Sequence, residues 1–151
     1  MINVRAGQSS DVEIIAEFQI SMAKESEGMM LDRDTVLAGV KGVFDKPSRG
    51  RYWVAENEGK PIGVCMTVPE WSDWRNGTVL WIHSLYVEPK FRRKGVFKKM
   101  YLYLKDRVQR SNDLVGLRLY VDKNNKSAQN VYEKIGMTKD HYELYEWMEK
   151  R

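Results

Sequence analysis

One stretch of the sequence decides the predicted fold: LYVEPKFRRKGV, residues 85–96. It begins within a run, residues 78–87, that is apolar on both alternating faces, as in a strand buried in the middle of a sheet. Beyond Pro89, apolar residues recur every fourth position and predict a helix. The first turn of a helix leaves backbone N–H groups unpaired and carries the positive end of the helix dipole. Strand, basic turn with Gly95, and helix together form the layout of a phosphate site.

The charge distribution supports one anionic partner docked at this place. Residues 90–110 contain nine basic residues and one acid, a balance of +8, so the other residues carry −4 of the net +4. A concentrated field attracts phosphate, whereas diffuse charge only aids solubility. Two alternatives stay open from charge alone: a solvated lysine-rich helix face, and nucleic-acid binding with steeply salt-dependent affinity.

Length and composition limit the classes of protein. A chain of 151 residues predicts a single domain over 1–151, and 42% hydrophobic with 30% charged residues argues against a disordered, collagen-like or coiled-coil chain. One cysteine, Cys65, excludes an internal disulfide and is interpreted as packing. No run approaches the ~18 apolar residues of a membrane span, and the N-terminus does not resemble a signal peptide, so we expect no membrane partner and a cytoplasmic location. His83 and His141 lack ligand spacing, so no metal is expected.

The remaining periodicities predict one α/β domain. Asn125 is the expected N-cap of the last helix, which stops at Gly136. The predicted strands are 2–6, 51–56, 61–68, 78–87, 115–121 and 142–148, and residues 57–60, which include Glu58 and Gly59, are expected to join the second and third as an antiparallel hairpin. The predicted helices are 10–24, 32–44, the segment after Pro89 and the segment after Asn124.

A second motif, NKSAQNVYEKIGM at 125–137, follows LYVEPKFRRKGV. The spacing between the two motifs makes the pair specific for one protein family. Together with Val4-Arg5-Ala6 and Asp11 they resemble the GNAT superfamily of N-acetyltransferases over nearly the whole chain. The resemblance implies a mixed, mostly antiparallel sheet of about six to seven strands with splayed central strands and about four helices. It also implies acetyl-CoA as the acetyl donor and an amine as the acceptor.

The resemblance carries cofactor roles onto matching positions. In the family, a six-residue motif binds the CoA pyrophosphate: it begins with Arg or Gln, has Gly at its fourth position and ends with a small residue. Here Phe97 occupies the last position, where the small residue is expected. The strand before this motif pairs with pantetheine in the family. The resulting cofactor-binding residues are Leu85, Tyr86, Val87, Arg92, Arg93, Lys94, Gly95, Val96, Phe97, Lys98, Asn125 and Tyr132.

Two residues are predicted to be catalytic. Tyr132 matches the family's tyrosine near the CoA sulfur, the general acid, although its place on an apolar helix stripe also suits a core tyrosine. An alkyl amine must lose a proton before it attacks, and His83 is the first choice for the base, directly or through water, with Glu70 and Asp73 behind it. His83 also suits a hydrogen-bonded core histidine. Direct attack in a ternary complex, without an acyl-enzyme, is expected.

The acceptor is expected to be a small-molecule primary amine, bound by acids and tryptophans through ion pairing and cation–π contact. Arg75 would instead suit a carboxylate. The alternatives are a protein N-acetyltransferase and a noncatalytic acyl-CoA-binding or protein-interaction module. No nucleic-acid partner is expected, and a homodimer is one option for assembly. The predicted acceptor residues are Glu25, Glu27, Glu70, Trp71, Asp73 and Trp74.

Overall fold

A five-stranded sheet organises residues Met1–Arg118 in the computed structural model, which describes residues 1–150. The chain divides into this unit and a second compact unit that begins at Leu119. The elements of the first unit are β1 (Ile2–Ala6), α1 (Val12–Glu27), α2 (Arg33–Asp45), β2 (Arg51–Asn57), β3 (Lys60–Ser72), β4 (Gly77–Val87), α3 (Val96–Arg110) and β5 (Leu114–Arg118).

The strands lie in the sheet in chain order, β1-β2-β3-β4-β5. The first three pairings are antiparallel and β4 pairs with β5 in parallel, with α3 as the crossover between them. The predicted mixed, mostly antiparallel sheet is confirmed. The predicted count of six to seven strands is wrong, because the part of the chain that the structure describes forms five.

The β2–β3 hairpin forms where the sequence predicts it. Its turn residues Glu58 and Gly59 both have positive φ, 52° and 78°. Two left-handed central residues are typical of the tight turn whose twist matches that of paired strands. The turn fixes the β2–β3 register, so that Val54 lies opposite Val64.

Helices cover both faces of the sheet. Tyr52 and Val54 of β2 belong to the core cluster that packs under α1 and α2 with Ile15 and Phe18. Trp53 between them points to the opposite face, because successive strand side chains alternate, and its ring lies 5.5 Å from that of Tyr103 on α3. The sheet is therefore buried between α1 and α2 on one side and α3 on the other.

The second unit contains α4 (Lys126–Lys134). The predicted strand 142–148 is wrong, because these residues adopt no regular secondary structure. Their large apolar side chains, among them Tyr142, Tyr145 and Trp147, are exposed, so no buried face fixes a strand register. No helix in residues 1–150 is long and apolar enough to span a membrane. The interpretation of 1–151 as one domain stays a prediction.

Candidate active site

A β-bulge interrupts β4 near its carboxyl end. Ser84 and Leu85 together oppose the single residue Cys65 of β3, where the register shifts. Ser84 has a φ of 55°, a left-handed conformation that costs an L-residue about 1–2 kcal/mol. Gln19, a buried residue of α1, donates from Nε2 to the carbonyl oxygen of Ser84 at 3.1 Å. A buried side chain on a neighbouring helix therefore supports the strained position.

The same end of β4 has an open edge. β5 pairs with β4 only as far as Trp81 and Arg118, whereas β4 continues to Val87. This parting is the predicted splaying of the central strands. The Glu88 N–H donates to the Ile62 carbonyl of β3 at 2.9 Å, and peptide groups alternate sides along a strand, so those of Val87 face away from β3. An extended ligand can pair with the strand there.

The basic turn between β4 and α3 leaves its backbone accessible. Arg93 and Gly95 are both left-handed, with φ of 63° and 76°, and lead the chain into the helix at Val96. A Cβ built on Gly95 would meet no protein atom within 4 Å, so open space lies against this backbone. The N–H groups of a first helical turn have no intrahelical partners, and Gly95 has no side chain to cap them. The turn fits an anionic group such as a diphosphate.

Arg92 ties this turn to β4 and to α1. Its Nε donates to the Val87 carbonyl at 2.8 Å, and its Nη2 donates to Glu25 Oε2 at 2.6 Å. Tyr86 Oη donates to the other oxygen of Glu25 at 3.1 Å. The Arg92 hydrogen bond holds the pKa of Glu25 below its ordinary value. Glu25, predicted to bind the acceptor, thus lies beside predicted cofactor residues, and Glu27 is exposed at the end of α1.

The other residues of the turn have different surroundings. Val96 is buried in the core, and the ring of Phe97 lies 6.2 Å from that of a tyrosine one turn along α3. Lys94 Nζ lies 5.6 Å from the centre of the Phe91 ring. Lys98 is exposed. The bulky Phe97 therefore packs along its own helix, and the positive charges lie on the outer side of the turn.

His83 lies on β4 directly before the bulge and is half-buried. Burial lowers its pKa below the ordinary value of about 6.5, so the imidazole is neutral at pH 7 and can accept a proton. His83 lies opposite Met66, which packs against the core cluster under α1 and α2. Residues directly opposite in neighbouring strands share a face, so His83 lies on the α1/α2 face of the sheet.

The predicted acceptor residues outside α1 separate into two further places. Glu70 of β3 accepts a hydrogen bond from Arg118 Nη1 at 3.0 Å. Trp71 and Trp74 are 63% and 88% exposed around the β3–β4 turn, where Asp73 accepts a hydrogen bond from the Trp74 N–H at 2.9 Å. Glu70 is therefore held near the end of β5, whereas the tryptophans lie at the exposed hairpin tip.

The second unit holds the other two predicted site residues. Asn125 Oδ1 accepts from the Ala128 N–H at 3.1 Å, which confirms Asn125 as the N-cap of α4. Tyr132 is half-buried, and burial raises the pKa of its phenol, so the hydroxyl keeps its proton at neutral pH. A protonated phenol is the form that a general acid requires.

Sequence reasoning did not single out Gln19 or Arg118. Gln19 could have been identified from its polar amide on the apolar stripe of α1, because a buried amide needs a hydrogen-bond partner. Arg118 lies between Leu117 and Leu119, on the strand face opposite to that of the alternating apolar residues. Cys65, interpreted from the sequence as a packing residue, is buried, and burial raises the pKa of its thiol to about 12, so the thiol stays protonated at neutral pH. Among residues 1–150 no group of three or more His, Cys, Asp or Glu side chains could hold a metal ion.

The comparisons with known proteins agree with this geometry. The sequence model of the acetyltransferase (GNAT) family matches residues 16–137. The chain belongs to the GNAT family. It is therefore an acetyl-CoA-dependent acyltransferase. Its sequence matches no curated protein.

Solved GNAT structures share the fold over the full chain. A possible acetyltransferase from Clostridium difficile 630 is 38% identical, with a TM-score of 0.91 and coverage of 100% of this chain and 99% of that one. A predicted acetyltransferase from Clostridium acetobutylicum solved with acetyl-CoA is 19% identical, with a TM-score of 0.73 and coverage of 100% and 96%. AAC(6')-Iy, solved with a bisubstrate analogue, CoA-S-monomethyl-acetylneamine, is 15% identical, with a TM-score of 0.78 and coverage of 99% of each chain. The last two likenesses show the fold alone.

The support of the bulge by Gln19 makes a prediction about stability. Replacing Gln19 with Met keeps the length of the side chain but removes the donor to the Ser84 carbonyl. An unsatisfied buried acceptor costs about 1–3 kcal/mol, and because Ser84 is half-buried we expect the free energy of unfolding in urea to fall by about 1 kcal/mol, the lower end of that range. The control is Gln109→Met at an exposed position of α3, which should change stability by less than about 0.5 kcal/mol. Equal losses in the two variants would contradict the role of Gln19.

Proposed function

We propose that this GNAT protein acetylates the primary amine of a small molecule by direct attack in a ternary complex. The observation that carries the proposal is the position of His83: a half-buried imidazole whose pKa is lowered, directly before the β4 bulge and in the part of β4 that β5 leaves unpaired. The basic turn with Gly95 lies at the end of the same strand. A base and a fitting anion site are thus connected through one short stretch of backbone.

Acetyl-CoA would be held by residues of the basic turn between β4 and α3 and by the open edge of β4. Its pyrophosphate fits the backbone from Arg92 to Lys98, where open space lies against Gly95. Its pantetheine arm fits the outward N–H of Val87, whose carbonyl already accepts from Arg92. The bound molecule supplies a thioester acetyl group. The Arg92 contacts with Glu25 and Val87 hold the turn against β4 before binding, which reduces the ordering that binding must impose.

Residues of the chain then carry out the proton transfers of the reaction. The acceptor ammonium loses two protons in all. His83, directly or through water, takes the first before attack and passes it to solvent, and it takes the second as the C–N bond forms and the C–S bond breaks. A backbone N–H of the 85–87 segment donates to the carbonyl oxygen, where negative charge develops. Tyr132, by its match to the family motif, gives its proton to the departing sulfur. One ammonium proton leaves to solvent, the second returns from His83 through solvent to Tyr132, and the C–N and S–H bonds replace the C–S bond without an acyl-enzyme.

Two measurements test the proposal in sequence. Saturating acetyl-CoA should raise the melting temperature, because a ligand that binds only the folded state stabilises it. A thiol-release assay should then show turnover on members of a panel of small primary amines, with a peptide bearing a free N-terminus and a lysine side chain as the comparison acceptor. Binding without turnover on any acceptor would favour the noncatalytic acyl-CoA module, and turnover on the peptide alone would favour a protein N-acetyltransferase.

A further inference from the structure

An arginine, a glutamate and two aromatic rings lie together where β4 and β5 part. We call Arg118, Glu70, Trp81 and His83 the Arg118 cluster. Arg118 is the last residue of β5 that pairs with β4, and its partner in the register is Trp81. Trp81 and His83 are two residues apart on β4, so both point to the α1/α2 face. The other members of the cluster therefore lie on the same face of the sheet as His83, the proposed base.

The contacts within the cluster hold the guanidinium in place. Arg118 Nη1 donates to Glu70 Oε1 at 3.0 Å, and Arg118 Cζ lies 5.9 Å from the centre of the Trp81 ring. The rings of Trp81 and His83 have their centres 6.4 Å apart. The side chain of Arg118 is 28% exposed and that of Glu70 is 46% exposed, so a small molecule can reach both.

Stability does not account for this arrangement. An ion pair exposed to this degree contributes little to folding. The chemistry of recognition does account for it. A guanidinium presents a planar fork of N–H donors that matches a carboxylate, and stacking on an aromatic ring fixes the plane of that fork. The Trp81 ring lies near both the cation and the imidazole and supplies an apolar surface.

We propose that Arg118 binds a carboxylate of the acceptor, so that the substrate of this GNAT protein is a small amino-carboxylate. The inference rests on the proposed function and deepens it. The acceptor places its amine at His83, its carboxylate on Arg118 and its methylene carbons over Trp81. Glu70 is a positioning residue, since its hydrogen bond orients the guanidinium. Arg118, not the exposed Arg75 of the β3–β4 turn, is the carboxylate-binding residue.

The test compares acceptors that differ in charge alone. The ω-amino acids of three to six carbons and their matching primary amides are assayed by thiol release at saturating acetyl-CoA. The carboxylates should have kcat/KM values about 10-fold or more above those of the amides, with most of the difference in KM. Arg118→Gln should bring the ratio close to one, and Arg118→Lys should keep part of it because the positive charge remains. Arg75→Gln should keep the full ratio.

The outcomes separate the inference from the function beneath it. Equal turnover of acids and amides by the wild-type protein overturns the carboxylate site while the acetyltransferase function stands. A ratio that survives Arg118→Gln but disappears in Arg75→Gln overturns the assignment to Arg118. Turnover of no amine, with acetyl-CoA still raising the melting temperature, overturns the proposed function and the inference with it. Arg118→Lys, checked by its melting curve, decides the matter if Arg118→Gln does not fold.

Discussion

Replacing His83 with alanine is expected to lower kcat by about 10²-fold or more while acetyl-CoA still raises the melting temperature of the variant. The reason is that an alkyl amine is protonated at neutral pH and needs a base near the thioester. His83 is half-buried beside the β4 bulge and burial lowers its pKa, so the accepting form predominates at pH 7. The measurements are steady-state thiol release and thermal shift.

The pH dependence gives the same residue a second signature. Burial disfavours the charged imidazolium, so the acid limb of the wild-type kcat/KM profile should lie below about pH 6.5. Activity falls on that limb because His83 gains a proton and stops accepting one. In His83→Gln the limb set by imidazole should disappear, and the remaining slow rate should follow only the titration of the acceptor amine. A wild-type limb that persists unchanged in His83→Gln would assign the base to another residue.

The chain offers a matched control in its other histidine. His141 is exposed in the second unit, and its ring lies 6.4 Å from that of Tyr142. His141→Ala removes the same side chain, so kcat should change by less than about twofold if the loss in His83→Ala reflects base catalysis. A similar loss in both variants would show that the effect is not specific to the β4 site. Glu70→Gln and Asp73→Asn then test the two carboxylates that stand behind His83 as alternatives.

Much of the fold could be predicted because its signals are local. The amphipathic period of α3, the turn residues Glu58 and Gly59, and the cap Asn125 each act within a few positions, and the structure places all of them as expected. The strand at 142–148 failed for the opposite reason. A segment rich in apolar residues forms a strand only when a neighbouring strand pairs with it and one of its faces is buried. Neither condition is set by the segment itself.

The decisive features of the site depend on contacts between distant positions. The hydrogen bond from Gln19 to the Ser84 carbonyl joins residues far apart in sequence, as does the bond from Arg118 to Glu70. The role of Glu25 changes for the same reason: an acid in an acidic stretch suggested a cationic acceptor, but the fold brings Arg92 to it. Which partner a charged side chain meets is settled by the topology and not by its neighbours in sequence.

Replacing Gly95 with alanine is expected to weaken acetyl-CoA binding by about 10- to 100-fold, the loss that corresponds to one hydrogen bond to a charged group. The Cβ would meet no protein atom within 4 Å, so it would project into the space against the turn that fits the pyrophosphate. A methyl group there keeps a diphosphate from the backbone N–H groups of the first turn of α3. The measurement is the acetyl-CoA dissociation constant by calorimetry.

Gly59 provides a control for the backbone effect. Gly95 and Gly59 have φ of 76° and 78°, and neither would bring a Cβ within 4 Å of another atom, so alanine imposes the same strain at both positions. Each variant should lose about 1 kcal/mol of folding free energy, but Gly59→Ala, in the β2–β3 turn, should bind acetyl-CoA as the wild type does. If both variants lose affinity equally, the loss reports strain in the fold. If neither does, the pyrophosphate does not lie against Gly95. A loss confined to Gly95→Ala separates contact with the ligand from stability, because the two substitutions differ only in what faces the added methyl group.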